Sequence, residues 1–108
     1  MRILFDQGTP VTIRNALENH SVRTAHEEGW STLLNGELLR AAENAGFEVL
    51  LTTDTSLPQQ QNLKGLKLAV VILSKNRWIL IKPRLNEILA AVNAAKPGSF
   101  SRAEIPGR

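Results

Sequence analysis

Two apolar runs in this chain end in an aspartate. Ile3, Leu4 and Phe5 lead straight into Asp6, and Val49, Leu50 and Leu51, followed by two threonines, lead into Asp54. Runs of aliphatic and β-branched residues without polar alternation read as strands covered on both faces, as in the middle of a parallel sheet. Each carboxylate then stands at the carboxyl end of a buried strand. If the two strands are neighbours, their ends lie ~4.8 Å apart, and the two side chains can share an ion. Glu37, in the first turn of an expected helix, adds a third oxygen donor on the same side. Oxygen donors of this hard type suit Mg²⁺ or Mn²⁺. Taken singly, each aspartate is explained as well by capping the turn that follows it, and Glu37 by the favourable helix dipole. The pairing is what points to a site.

The elements that must position these groups follow in order. Arg2–Phe5 is a strand, and Asp6 to Gly8 turn out of it. Thr9 and Pro10 open a helix that ends near Asn19, with Ile13, Ala16 and Leu17 on its apolar face. Ser21–Ala25 alternates enough for a half-exposed edge strand, and His26 to Ser31 breaks the pattern. Asn35 caps a helix that Gly46 closes. Val49–Asp54 is the next strand, and Leu57, Pro58 and the QQQN run allow one or two helical turns. Leu66–Leu73 is a wholly apolar strand ending at Ser74. Lys82 and Pro83 open a last helix with the stripe Leu85, Ile88, Leu89 and Val92, stopped by Pro97 and Gly98. Phe100 to Arg108 reads as a loose tail. The expectation is a three-layer α/β domain over residues 1–96 with a mostly parallel, four-stranded central sheet, and a C-terminal tail over 97–108. In such sheets the ligand crevice lies beyond the carboxyl ends of the strands, where strand order reverses.

Composition narrows the function classes. The 108 residues make one domain and include no cysteine, which excludes disulfides and thiolate metal sites and points to a reducing cytoplasm. No stretch approaches the ~20 apolar residues of a membrane span, so no membrane association is expected. Residues 1–74 carry 6 Lys and Arg against 8 Asp and Glu, net −2, whereas residues 75–108 carry 7 against 2, net +5. A basic last third beside an acidic site suits a polyanionic substrate, and an ordinary solvated helix can show the same charge. Lys75, Arg77, Lys82 and Arg84 are the candidate phosphate contacts. Ser74 and Asn76 follow the fourth strand to the carboxylate edge and are candidates for contacting substrate, as is Asn35 if its side chain turns inward. His20 and His26 read as solvated, and Trp30 and Trp78 as packing residues at the rim. No glycine-rich phosphate loop or GxSxG motif is present.

Four segments carry a family resemblance: ILFDQG at 3–8, WSTLLNGELLRAAENAGF at 30–47, VLLTTDTSL at 49–57 and LAVVILSKNRW at 68–78. Together they resemble the PIN-like domains of a small domain-of-unknown-function family, relatives of the PIN ribonucleases that serve as toxins in prokaryotic toxin–antitoxin pairs. The resemblance runs from about Met1 to Ala95. It implies that Asp6 and Asp54 are metal-site aspartates and that Glu37 is the acidic residue of the intervening helix. It further implies a Mg²⁺- or Mn²⁺-dependent endoribonuclease, with RNA as substrate and a cognate antitoxin protein as partner; a homodimer is left open. The chain departs from the pattern at Ser56 and Asn35, where relatives often carry aspartates. Those departures frame the alternative, a non-catalytic PIN-like protein-binding module with a degenerate acidic site.

Overall fold

The computed structural model describes residues 1–57 and 65–107. Its strands are β1 (Arg2–Phe5), β2 (Ser21–Thr24), β3 (Val49–Thr52), β4 (Ala69–Leu73) and β5 (Phe100–Ala103). They form one sheet in the order β2-β1-β3-β4-β5, every pair parallel. Among the described residues the helices are α1 (Asn35–Asn44), α2 (Trp78–Ile81) and α3 (Leu85–Ala94). A 3-10 helix covers Val11–Leu17, and a 3-10 turn, Lys82–Arg84, joins α2 to α3.

Side chains of a strand alternate between the two faces of a sheet, and here both faces are covered. Ile3, Phe5, Val49, Leu51, Val71 and Leu73 pack on one side with Ile13 and Leu17 of the 3-10 helix and Ile88 and Val92 of α3. Leu4, Leu50, Val70 and Ile72 pack on the other with Leu38, Leu39 and Ala42 of α1. That double burial is why the central strands show no polar alternation. β2, at an edge, alternates exposed and half-buried residues as expected.

The sheet has five strands where four were expected. Phe100–Ala103, read as loose tail, pairs with β4 from Val70↔Phe100 to Leu73↔Ala103. Ala103 and Ile105 are buried, and the Ile105 N–H donates to the Ser74 hydroxyl at 2.7 Å. Two further expectations are corrected. The first helix is a 3-10 helix flanked by Pro10, and Thr9 does not cap it. The last helical stretch begins at Trp78, so Lys82 and Pro83 lie in its middle rather than at its start. The expected turns at Leu57 to Asn62 fall largely on residues outside those described. Among the described residues, no helix is long and apolar enough to cross a membrane.

Candidate functional site

The connection from β1 leads to β2 on one side, and the next strand, β3, is laid on the other side of β1. The crevice of a doubly wound sheet lies at such a reversal, beyond the carboxyl ends of the two strands that flank it. Asp6 is the residue after β1, and Asp54 is the second residue after β3. With Phe5 opposite Leu51 in the register, Asp6 comes level with Thr52.

Thr52 joins the two aspartates. Only 1% exposed, it donates its hydroxyl to Asp6 Oδ2, and its oxygen accepts the Asp54 N–H at 3.1 Å. The other Asp6 oxygen accepts from the buried Thr9 hydroxyl at 2.6 Å, which also lies 3.0 Å from the Leu51 carbonyl oxygen. The Asp6 N–H donates to that same carbonyl at 3.2 Å. The turn after β1 is thereby held against the end of β3. Gly8 allows the close approach, since a Cβ there would stand 2.7 Å from Thr53 Oγ1.

The Asp54 carboxylate accepts three hydrogen bonds. Ser56 donates to Oδ1 from its hydroxyl at 2.6 Å and from its backbone N–H at 3.0 Å, and Asn35 Nδ2 donates to Oδ2 at 2.7 Å. The Ser56 hydroxyl foremost, with the Asn35 amide and the Ser56 N–H, holds this carboxyl below the usual carboxylate range, against burial, which acts the other way. A folded-state pKa below the unfolded value near ~3.9 means that the charged form contributes stability above that pH and loses it as pH falls through the folded value. The stability difference between the parent and Asp54→Asn is therefore expected to be constant above about pH 5 and to shrink as pH falls through and below about 4. Urea unfolding at a series of pH values measures this; a difference unchanged into strong acid would contradict the three-donor description.

No family model, curated protein or solved structure matches the chain. Its chemistry is therefore read from the geometry. Glu37, expected as a third acid, is not brought to the pair: it is exposed, and its Oε1 accepts the Leu34 N–H at 3.2 Å, capping its own helix. Leu34 rather than Asn35 is the cap position, which leaves the Asn35 amide to reach Asp54. Among the described residues, no three acidic, histidine or cysteine side chains come together as a metal group. Two carboxylates remain, each with about four lone-pair positions. Asp6 and Asp54 spend some of these on the bonds above, and the rest fit a hydrated Mg²⁺ or Mn²⁺ held through one or two carboxylates and otherwise by water. They do not fit a cage of three acids.

The other predicted residues are placed as follows. Ser74 serves β5 through Ile105. Lys75, Asn76 and Arg77 link β4 to α2 at the carboxylate edge. Lys82 is exposed, and Arg84 pairs with Glu87 at 2.9 Å across one helical turn. No α-helix starts at Lys82, which lies in the 3-10 turn between α2 and α3. Two cavities flank Asp6 instead, on the β2 side. One, of about 170 Å³, is lined by Asp6, Gln7, Trp30, Ser31 and Asn35 among others. The other, of about 440 Å³, includes Asp6, Gln7, Arg14, His26 and Glu27. Thr9, Thr52, Gln7 and Arg14 were missed as site residues. The one sequence signal for Thr52 is a hydroxyl residue closing a wholly apolar strand.

Proposed function

We propose that the chain is a PIN-like domain acting as a metal-dependent endoribonuclease of the toxin type, with Asp6 and Asp54 as its acidic pair. The observation that carries this reading is the placement of the two aspartates at the strand reversal, tied through Thr52, with open cavities beside Asp6. The three-layer parallel sheet is consistent with a PIN-like arrangement. A bound Mg²⁺ or Mn²⁺ would activate water and stabilise the leaving oxygen in phosphodiester hydrolysis. Thr9 and Thr52 fix the Asp6 carboxylate, and Asn35 and Ser56 fix that of Asp54, so neither must be ordered when substrate arrives. Lys75 and Arg77, at the same edge, are in place for sequence-independent phosphate contacts. A cytoplasmic site of action fits both an RNA substrate and a chain without cysteine.

Ion binding is tested by thermal unfolding. At a hundred times Kd, Mn²⁺ is expected to stabilise the parent by about 2.7 kcal/mol, on the order of 10 °C for a domain of this size, and Asp6→Asn should lose most of that gain. A parent whose melt does not move in millimolar Mn²⁺ or Mg²⁺ would favour the second reading, the non-catalytic protein-binding module. That reading has its own support. Both Asp54 oxygens are supplied by neutral donors, and Glu37 caps its helix. Leu34, Ile79 and Val11 are 74%, 72% and 52% exposed, apolar surface that a protein partner could cover.

A further inference from the structure

We infer that Asn35 and Ser56 are positioning residues that supply to Asp54, as neutral hydrogen-bond donors, the stabilisation a cation would otherwise supply, so that this acidic site folds without an ion. A half-buried carboxylate needs either a counter-charge or several donors. The described ion pairs are Arg14–Glu27, Arg23–Glu28, Arg84–Glu87 and Arg102–Glu104, and none of them involves Asp6 or Asp54. Donors take that role. Asn35 and Ser56 reach opposite oxygens of Asp54, at 2.7 and 2.6 Å, and approach from different elements, the start of α1 and the turn after β3. Asp54 is thus clamped from two sides, and its geometry does not depend on an ion arriving.

The consequence concerns the Asn35 contact. Changing that amide to a carboxylate places two acids where a donor now faces an acceptor at 2.7 Å, which is tolerated only with a cation between them or a proton shared. The inference rests on the site reading above only in that Asp54 belongs to the proposed ion site, and its test does not use RNA cleavage. Thermal unfolding of the parent, Asn35→Asp, Asn35→Ala and Ser56→Ala is compared in EDTA and in millimolar Mn²⁺. In EDTA all three variants are expected to melt below the parent, by on the order of 5 to 10 °C. Mn²⁺ should raise Asn35→Asp by clearly more than it raises the parent, and should leave the deficits of the two alanine variants open. If Asn35→Asp does not fold in EDTA but folds when refolded with Mn²⁺, the inference is equally supported. Variants that melt with the parent in EDTA, or a Mn²⁺ shift no larger in Asn35→Asp than in the parent, would overturn it. A parent insensitive to Mn²⁺ beside a responsive Asn35→Asp would count against the ion-dependent nuclease while upholding the clamp.

Discussion

A chain ending at Lys96 is expected to lose its cooperative fold. β4 is buried at all five positions, and β5 covers one of its two edges through four residue pairs. Without β5, that edge presents unpaired N–H and C=O groups on an apolar strand, which is both costly and prone to pairing with other chains. The cut also removes Ala103 and Ile105 from the core packed by Val71, Leu73 and Ile81. Truncating one buried isoleucine costs about 2–5 kcal/mol, and a domain of this class has about 5–15 kcal/mol in all. The loss of both residues and of the strand pairing therefore consumes most of the stability. Circular dichroism and urea unfolding of residues 1–96 check this. A sigmoidal melt within a few degrees of the full chain would show that residues 97–108 are the dispensable tail their sequence suggests.

Thr52→Val is the point substitution with the largest expected effect at the site. Valine keeps the shape of threonine and its strand preference, so the change isolates the hydroxyl. It removes the donor to one Asp6 oxygen and the acceptor of the Asp54 N–H, leaving two polar groups short of partners at a position 1% exposed. Leaving buried polar groups unpaired costs about 1–3 kcal/mol each, more for a charged one. A loss of about 3 kcal/mol is expected, with a fall in melting temperature above roughly 10 °C. The same substitution should weaken Mn²⁺ binding, because Asp6 is no longer fixed. Thr53→Val, beside it, removes no bond to either aspartate and is the control; equal losses in both variants would show that Thr52 acts through packing alone.

What was legible in the sequence was local. Ile3–Phe5 and Val49–Thr52 showed their two-sided burial by lacking polar residues, and α1 showed its amphipathic spacing, with its start placed correctly at Asn35 though its cap is Leu34. The aspartates at strand ends followed from those strands. The remainder depends on partners far along the chain. β5 is short and has an exposed Phe and Arg, so nothing in FSRA marks a strand until β4 is seen to need covering. WILI at 78–81 is an apolar run that fits strand or helix equally, and Pro83 looked like a helix start because proline is common there. It is tolerated here in a 3-10 turn. Thr9 carried the signature of a cap, yet its hydroxyl is drawn back to Asp6 and toward the Leu51 carbonyl, which is close only because β1 and β3 are neighbours. Glu37 lies in the first turn as expected, and its carboxylate accepts the Leu34 N–H, since the local cap competes with the distant site.

The central claim, that Asp6 and Asp54 form a metal-dependent site acting on RNA, is tested most directly by incubating purified parent and Asp6→Asn with an end-labelled single-stranded RNA pool, in Mn²⁺ and in EDTA. The account predicts internal cleavage by the parent in Mn²⁺, none in EDTA, and at least a hundredfold loss in Asp6→Asn, which leaves Thr9 and Thr52 without their charged acceptor. RNA left intact by the parent in Mn²⁺, or cut equally by Asp6→Asn, would contradict it.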